Sequence, residues 1–493
     1  MIWVGYVLYG IYVASSLWLL ASAFAQLHLL WHSRKRQHKG QKNTLDVLPF
    51  VTIQVPVYNE KYVIEGLLES LTKLDYPKHL LQIQVLDDST DETSSIIDQQ
   101  AAIIEKSGFS ISVLRRGNRQ EYKAGALQYG LPRCKGELIA IFDADFRPSP
   151  DFIHSLIPHF ADPGVGLVQA RWGHLNTEQN FLTRIQAYLL DMHFSVEQQG
   201  RYQAGYYINF CGTAGIWRKR CIEEAGGWDG TVLSEDLDLS YRAQLKGWRL
   251  VYDDKVMVPA QLPSVVEAFK IQQFRWTKGI AQTAKRTIHR IWQMHIPLTK
   301  KIHGTFHLLG SFTFVCLFIN ALLTIPLLQL RQQYPEFITL TNYTVVGALN
   351  LVSLAYLYYR SAEARPGKGL RFILNYPIFV IVYLAMSVQN AVAVMQGFAG
   401  LQSPFVRTPK FNNASGKNAY NQQKWSWITW LEISLLLYFL YGIGLSVYHN
   451  DYFLLFFFVL MCAGLVILLF PIFQLYVHNW QKRERPYLRP ETV

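Results

Sequence analysis

Residues 138–145 read LIAIFDAD, an apolar run that ends directly in two acidic residues separated by one alanine. Three other short runs rich in β-branched residues precede it, at 51–57, 81–86 and 111–114, and a helical pattern fills 63–71. Strands that alternate with helices predict a mainly parallel sheet in an α/β domain. Because ligands bind beyond the carboxyl ends of the strands in such sheets, we expect the acidic residues there to take part in chemistry.

Acidic residues close two of these four runs. Asp87 and Asp88 follow the second run, and since turn residues are common at strand ends, a structural and a functional role fit this pair equally well. Asp143 and Asp145 differ, because two like charges this close after a buried strand are costly unless a positive group joins them. A hard divalent cation that bridges phosphate oxygens, Mg²⁺ or Mn²⁺, would do so. A D-x-D pattern alone is common and only suggests such a site.

Apolar residues are concentrated in a few long segments. Half of the 493 residues are hydrophobic, and residues 2–31 form a nearly uncharged run. This run is long enough to cross a hydrocarbon core of roughly 30 Å as a helix, and it is too long for the core of a signal peptide. Residues 32–300 have the mixed composition of one sizeable globular core. Apolar runs return after it, at 305–330, 343–359, 372–395, 428–447 and 452–477.

Much of the formal net charge of +12 lies beside the apolar segments. Basic residues follow the first and the last segment: Arg34, Lys35, Arg36 and Lys39, then Lys482, Arg483 and Arg485. By the positive-inside rule both flanks are cytoplasmic, which predicts an integral, multi-pass protein of the lipid bilayer with a cytoplasmic domain. A bacterial inner membrane is the expected location, with a Golgi membrane as the alternative in a plant. Acidic clusters in the globular region argue against nucleic acid as a partner.

The cysteines and histidines give no sign of a disulfide framework or a zinc site. The five cysteines are odd in number and form no C-x-x-C pair, which favours a reduced cytosolic domain. His174 and His193 have no metal-ligand spacing, so the sequence assigns them no role.

The number of apolar runs conflicts with a cytoplasmic C-terminus. If the globular region and the C-terminus share one side, the chain crosses an even number of times after Lys300, yet five runs follow it. The run at 372–395 has Gln389, Asn390 and Gln396 in or just after its second half. We therefore predict that it lies at the interface or re-enters without crossing. The alternative is a true crossing with the C-terminus outside.

The predicted layout therefore contains roughly five spanning helices. Its parts are a transmembrane helix at 1–31, a cytoplasmic domain at 32–300 with interfacial helices at its C-terminal end, a transmembrane pair at 301–360, an interfacial or re-entrant segment with a loop at 361–426, a transmembrane pair at 427–478 and a cytoplasmic tail at 479–493.

Several motifs occur in one order between Val51 and about Lys278. They are QVPVYNE at 54–60, QVLDDSTD at 84–91, YKAGAL at 122–127, FDADF at 142–146, GTAGIW at 212–217, SED at 234–236 and QQFRW at 272–276. Together they resemble the processive family 2 glycosyltransferases of GT-A fold, the group that contains cellulose, chitin and hyaluronan synthases. The chain is most similar to the cellulose-synthase-like mannan and glucan synthases, with SED in place of the family's T-E-D.

The resemblance implies a set of residues that bind a nucleotide-sugar donor: Tyr58, Glu60, Asp87, Asp88, Lys123, Asp143, Asp145, Gln272 and Arg275. Within this set, the resemblance implies that Asp88, together with Asp87, contacts the base or ribose and that Tyr58 packs on the base. Lys123 lies near the diphosphate, and Asp143 and Asp145 hold the metal and the diphosphate.

The resemblance also implies the catalytic groups. Asp236, with Glu235 beside it, is the expected general base, which deprotonates the acceptor hydroxyl as it attacks the anomeric carbon. Attack opposite the leaving group inverts the anomeric centre, so an α-linked donor gives a β-linked product. Arg275 suits a diphosphate leaving group, because its guanidinium pairs with phosphate through a planar fork.

An acceptor site is implied beside these groups. Trp276 offers a flat apolar face for a sugar ring, and Cys211, Gly212 and Thr213 match an acceptor-site signature of cellulose synthases, where mannan-type relatives carry Asn. A buried structural cysteine is the alternative for Cys211. For the QQFRW segment the alternative is an amphipathic interfacial helix, with its arginine at headgroups and its tryptophan in the aromatic belt.

The segment FVRTPK at 405–410 resembles the gating loop F-x-V-T-x-K of processive synthases, which covers the donor pocket. This likeness adds Thr408 and Lys410 to the expected donor-binding residues. Arg407 replaces the pattern's valine and Phe411 replaces the glycine that often follows, so a plain polar connector is the alternative. A loop that covers the pocket is cytoplasmic, which supports a non-crossing 372–395 segment.

The resemblance implies a metal-dependent, inverting enzyme that makes a β-linked glucan or mannan from UDP-glucose or GDP-mannose and passes the polymer across the bilayer. An accessory export subunit is a possible further partner. A glycolipid-forming enzyme that transfers a single sugar would share the Q-x-x-R-W motif and stays open. A transporter with a nucleotide-binding domain needs ionisable residues along a solute path. The spans are nearly free of them, with Glu432 the clearest exception, and P-loop glycines are absent.

Overall fold

The computed structural model of the chain describes residues 2–34, 45, 47–334, 336–337, 344–361, 368–404, 406 and 425–484. Over these residues, seven strands form one sheet in the order β3-β2-β1-β4-β6-β5-β7. The strands are β1 (Val51–Val57), β2 (Leu81–Asp87), β3 (Ser110–Leu114), β4 (Leu138–Ile141), β5 (Val165–His174), β6 (Gly215–Arg218) and β7 (Arg249–Ala260). The pairs within β1–β4 and the pair β5–β7 are parallel, whereas β6 is antiparallel to both neighbours. The predicted mainly parallel sheet is confirmed.

The central strands are buried on both faces, although they contain glutamines. Ile53 and Val55 are fully buried on one face. On the other face, Gln54 Nε2 donates to Gln84 Oε1 at 2.8 Å, and Gln84 Nε2 donates to the Gly130 carbonyl at 3.2 Å. Burial of these amides is tolerated because they are hydrogen-bonded.

Helices pack against the sheet in two separate buried clusters. One includes the helices at 64–72, 93–106 and 152–156, and the other includes those at 122–130, 219–224 and 235–245. A π-helical turn, His193–Gln198, separates α6 from α7. In chain order the helices are α1 (Ile2–Arg34), α2 (Ile64–Thr72), α3 (Thr93–Lys106), α4 (Tyr122–Gly130), α5 (Phe152–Leu156), α6 (Phe181–Met192), α7 (Gln199–Ala204), α8 (Lys219–Glu224), α9 (Glu235–Leu245), α10 (Val266–Gln293) and α11 (Leu298–Leu308).

The later apolar runs form long helices: α12 (Phe312–Gln333), α13 (Thr344–Ser361), α14 (Lys368–Ala399), α15 (Trp427–Tyr448) and α16 (Tyr452–Glu484). Within the described ranges, five helices are long and apolar enough to cross a membrane: α1, α12, α14 over Phe372–Ala399, α15, and α16 over Tyr452–Gln474. Helix α13, predicted as half of a spanning pair, is not one of these five.

The segment 372–395, predicted not to cross, lies inside the continuous helix α14, which is a candidate span. Its polar residues face protein, because Gln389 and Asn390 are 4% and 1% exposed. Gln389 Nε2 donates to the Lys270 carbonyl on α10 at 2.9 Å. These side chains therefore do not mark an interfacial face. The non-crossing interpretation and the domain boundaries stay predictions.

Helix α10 joins the globular domain to the candidate spans. At Gly397 of α14, an added Cβ would lie 2.7 Å from Ala281 Cβ and 2.8 Å from the Lys278 carbonyl oxygen, so the close approach of the two helices requires glycine. Lys270 Nζ lies 2.8 Å from both carboxylate oxygens of Glu432 on α15. Glu432, the acidic residue that stood out in the spans, is thus paired inside the protein.

Candidate active site

A cavity of about 490 Å³ opens at the carboxyl edge of the parallel strands. Because β1, β2 and β4 run in the same direction, the residues that follow them meet at this edge. Tyr58, Glu60, Asp88, Asp143 and Asp145 all line the cavity. The sequence-predicted residues at three separate strand ends are therefore brought together.

The structure separates the two acidic residues that follow β2. Asp88 lines the cavity and accepts hydrogen bonds from Arg116 Nε at 2.8 Å and Nη2 at 2.6 Å. Asp87 is not a cavity-lining residue in the described part of the chain; it accepts from Ser94 Oγ at 2.7 Å and Arg115 Nε at 2.8 Å. Burial opposes ionisation of Asp87, but these bonds lower its pKa. Asp87 thus stabilises the loop after β2, and Asp88 is the member of the pair that faces the cavity.

Sequence reasoning missed an arginine that lies on Tyr58. The guanidinium carbon of Arg119 is 3.3 Å from the centroid of the Tyr58 ring. Burial lowers the pKa of Arg119, although Tyr58 and Asp88 oppose this effect. A guanidinium stacked on an aromatic ring forms a planar surface that suits a nucleobase. The available signal was the run RRGNR at 115–119, which places three arginines between two motifs.

A lysine stands against the first acidic residue after β4. Lys123 Nζ lies 2.6 Å from Asp143 Oδ1 and donates to the Gly212 carbonyl at 2.8 Å. Burial acts to lower the pKa of Lys123, but Asp143 and other nearby carboxylates raise it overall. The Asp143 amide donates to Thr213 Oγ1 at 2.9 Å. Thr213, predicted to bind the acceptor, is fully buried and holds the end of β4 instead.

The donor set at the edge fits a metal only together with a phosphate ligand. Asp143 and Asp145 both line the cavity. Among the described residues, no group of three or more histidine, cysteine or acidic side chains is placed to hold a metal ion. Two carboxylates suit a hard divalent cation that takes its remaining ligands from phosphate oxygens and water. These residues thus fit Mg²⁺ or Mn²⁺ bound with a nucleoside diphosphate.

Helix α9 begins with two acidic residues that line the cavity, Glu235 and Asp236. Asp236 Oδ1 accepts a hydrogen bond from the Leu237 amide at 2.8 Å. Burial and the neighbouring Glu235 charge raise the pKa of Asp236 to about 7, against the opposing effect of Lys123. Burial also raises the pKa of Glu235, again with Lys123 opposing. A carboxylate with a pKa near neutrality is suited to accept a proton in a reaction.

The backbone approaches Asp236 at Gly212, which has a φ of +83°. An added Cβ would lie 3.1 Å from Asp236 Oδ2, so glycine keeps the space beside this carboxylate open. Cys211 also lines the cavity, with its Sγ 3.6 Å from Nε2 of His193. Burial, reinforced by the charge of Asp236, raises the pKa of the Cys211 thiol and suppresses its reactivity.

Helix α10 presents Gln272, Arg275 and Trp276 to the cavity. The ring centroids of Trp276 and Trp172 are 6.5 Å apart. Burial lowers the pKa of Arg275, while Glu235 and other carboxylates oppose it. These three side chains face the same space as Asp236, which favours a role in the site over contact with lipid headgroups.

The cavity continues away from the strand edge between the long helices. Its lining there includes Gln26 of α1, His303 and His307 of α11, Tyr358 of α13 and Tyr383 of α14. The sheet edge and the helical bundle therefore share one space. The predicted gating-like residues Thr408 and Lys410 lie outside the described residues.

Comparison with known proteins agrees with this arrangement. A family model described as "Glycosyltransferase like family 2" matches residues 49–279. The chain is 38% identical over 322 residues to Glucomannan 4-beta-mannosyltransferase 1 of Cyamopsis tetragonoloba, an alignment that covers 62% of this chain and 60% of the relative's length. It is 34% identical over 436 residues to Probable glucomannan 4-beta-mannosyltransferase 3 of Oryza sativa subsp. japonica, covering 85% of this chain and 77% of that one.

A solved structure is similar as well. It is the mannosyltransferase PcManGT from Pyrobaculum calidifontis in complex with GDP-Man and Mn²⁺. The TM-score is 0.56 at 21% identity, over 80% of this chain and 100% of that one, and this likeness shows the GT-A fold. From the fold and the extent of identity to the rice relative, the chain belongs to glycosyltransferase family 2, in the cellulose-synthase-like group that contains the glucomannan 4-beta-mannosyltransferases.

Proposed function

We propose that this chain is a membrane-embedded, inverting mannosyltransferase that uses GDP-mannose to extend a β-1,4-linked mannan or glucomannan. One observation carries the proposal: Asp88, Asp236 and Trp276 line a single cavity that continues between candidate membrane spans. The names of the relatives support 4-β-mannosyl transfer, and the ligand of the similar structure supports GDP-mannose over UDP-glucose.

The donor would bind across the strand edge. Its base would lie against the Tyr58 and Arg119 stack, with the ribose near Asp88. Its diphosphate would extend toward Lys123 and Arg275, which carry the positive charge on this part of the wall. Because the leaving group gains negative charge as the glycosidic bond breaks, a guanidinium that forks onto phosphate lowers the barrier.

Asp143 and Asp145 would hold a divalent cation, which supplies charge neutralisation to the diphosphate when bound. The chain's own contribution at this point is the Lys123 ammonium, 2.6 Å from Asp143. It orients the carboxylate that lines the cavity.

The acceptor would approach from the side of α10. Trp276 would pack on the terminal sugar ring, and Asp236 would take the proton of its attacking hydroxyl. The new bond forms between that oxygen and the anomeric carbon while the bond to the diphosphate oxygen breaks. Attack from the opposite face inverts the configuration, so an α-linked donor yields a β-linked unit. The lengthened chain would then move toward the helical end of the cavity.

The test is turnover of radiolabelled GDP-mannose and UDP-glucose by the full-length protein in nanodiscs, each with Mg²⁺ or Mn²⁺, followed by sizing of the product. We expect a long polymer from GDP-mannose that endo-β-mannanase digests. A polymer made only from UDP-glucose would overturn the choice of donor. A short, lipid-extractable product would replace polymer synthesis with glycolipid formation.

A further inference from the structure

A compact group of polar side chains lies on the cavity wall between the acceptor-side residues and α1. We call it the His193 cluster, and it consists of His193, Glu197, Arg201, Gln26 and Cys211, all of which line the cavity. The mechanism above uses none of them. His193 and Glu197 lie on the π-helical turn, a rare conformation that is often found at functional sites.

Both carboxylate oxygens of Glu197 are engaged. Oε2 lies 2.9 Å from His193 Nδ1 and accepts from Arg201 Nη2 at 3.2 Å, and Oε1 accepts from Gln26 Nε2 at 3.2 Å. Burial opposes ionisation, but the Arg201 charge and the His193 bond lower the pKa of Glu197 to about 2. Glu197 is therefore a carboxylate at neutral pH, and its charge is balanced by Arg201.

The contact with Glu197 sets the tautomer of His193. An ionised carboxylate only accepts hydrogen bonds, so we assign a proton to Nδ1; in the neutral ring this leaves Nε2 as an acceptor. Nε2 lies 3.6 Å from Cys211 Sγ, beside the residues of the acceptor signature. Cys211 is held as a thiol, a weak donor, so a hydroxyl group would be the stronger partner for this nitrogen.

The composition of the cluster indicates a neutral, hydroxylated ligand. Its one carboxylate and one guanidinium already neutralise each other, and a charged ligand would leave an unpaired charge in a buried site. Arg201 Nη1 has no hydrogen-bond partner among the described residues, and neither does Oδ1 of the cavity-lining Asn209. Both atoms are almost fully buried, whereas the His193 side chain keeps 27% of its surface exposed, so the imidazole is the group of the cluster that a sugar hydroxyl can reach.

We propose that His193, oriented by Glu197, binds a hydroxyl group of the acceptor chain and so selects an uncharged hexose polymer. This inference rests on the proposed function for the identity of the chain. It predicts that loss of the imidazole weakens binding of the polymer without affecting binding of the donor.

The experiment measures how donor turnover divides between transfer and hydrolysis. In full-length protein in nanodiscs with GDP-mannose and Mn²⁺, His193→Phe should shift turnover toward free mannose by about threefold to tenfold, the value of one lost hydrogen bond, and shorten the polymer. His193→Gln restores an acceptor on the side chain and should recover part of the length. Equal loss of hydrolysis and transfer, with unchanged polymer length, would overturn the proposal.

The matched control is His159→Gln. His159 also pairs with a carboxylate, Asp253 at 3.0 Å, but it does not line the cavity in the described structure. The His159→Gln variant should leave the division of turnover between transfer and hydrolysis unchanged. A shift equal to that of His193→Phe would contradict a specific role of His193.

A binding measurement separates this inference from the proposed function. Calorimetry should give wild-type GDP affinity for His193→Phe, which shows that the donor side is intact, and weaker binding of β-1,4-mannohexaose. If wild-type protein turns over neither nucleotide-sugar, the proposed function fails. The hexaose comparison still decides the His193 role, and equal affinity of wild type and variant would refute it.

Discussion

Two parts of the same cavity arrange their acidic groups in opposite ways. At the strand edge, Asp88 and Asp143 each have a cation at 2.6 Å, from Arg116 and Lys123. At the start of α9, Glu235 and Asp236 are adjacent carboxylates, and burial with mutual repulsion raises the pKa of Asp236 to about 7. A carboxylate paired with a cation suits ligand binding, whereas crowded, buried carboxylates suit proton exchange near neutral pH. Under the proposed function, the contrast places donor binding at the strand edge and proton transfer at α9.

The largest effect on activity is expected at Asp236. Asp236→Asn keeps the shape of the side chain but removes the base, so we expect kcat to fall by about 10²- to 10⁴-fold. GDP affinity, measured by calorimetry, should be unchanged, because the donor contacts lie at the strand edge. Near-normal turnover in this variant would remove Asp236 from the reaction.

Arg275 lies on α10 between the two parts. Arg275→Lys keeps the positive charge but loses the planar fork onto phosphate, and we expect kcat to fall by about 10²-fold. The loss should appear in single-turnover measurements with saturating donor. A fall in donor affinity at constant kcat would instead place Arg275 with the binding residues.

The strand edge is tested through Asp145. Asp145→Ala should weaken GDP binding by about tenfold or more in Mn²⁺, because a charged ligand of the cation is lost. Chelation of the metal should weaken binding to wild type by a similar factor and have little further effect on the variant. Asp151→Ala, at an exposed position, is the control. If chelation weakens GDP binding to Asp145→Ala as much as to the wild type, Asp145 is excluded from the metal site.

The smallest expected effect concerns pH. Asp236 must be ionised to act as a base, so kcat/KM should decline as the pH falls below about 7. Glu235→Gln removes a like charge that raises the pKa of Asp236, so this acidic limb should move to lower pH. Exposed Glu69→Gln is the control. If the acidic limb of the kcat/KM profile lies at the same pH in Glu235→Gln as in the wild type, the two carboxylates do not interact.

The residues at the strand edge were easier to predict from the sequence than those on the acceptor side. Asp88, Asp143 and Asp145 follow strands directly, and parallel strands end at one edge, so a local pattern implies a spatial meeting. The division of labour between Asp87 and Asp88 could not be predicted, because it depends on which carboxylate Arg115 and Arg116 reach.

Residues brought together by distant segments were missed. His193 lies against Cys211 before β6, and its partner Glu197 accepts a hydrogen bond from Gln26 on α1; no spacing along the chain encodes those contacts. The roles of Asp236 and Arg275 came from the resemblance to a family rather than from periodicity or composition.

Polar residues in an apolar run allow two interpretations. Gln389 suggested an interfacial segment, yet its side chain bonds to the Lys270 carbonyl inside the protein. A glutamine in such a run can face lipid headgroups or another helix, and only tertiary packing distinguishes the two. The same ambiguity underlies the predicted non-crossing of the segment inside α14, which is a candidate span.

The Lys270–Glu432 pair ties α10 of the globular domain to α15, a candidate membrane span. Lys270 precedes Arg275 by five residues on α10, about 7.5 Å along the helix axis. Its partner Glu432 is fully buried on a candidate span, and separating the two charges there is costly. If α15 spans a bilayer, tilting of this helix to relieve hydrophobic mismatch would be transmitted to α10, which carries Arg275 in the cavity wall. Under the proposed function, turnover should then vary with the thickness of the host bilayer.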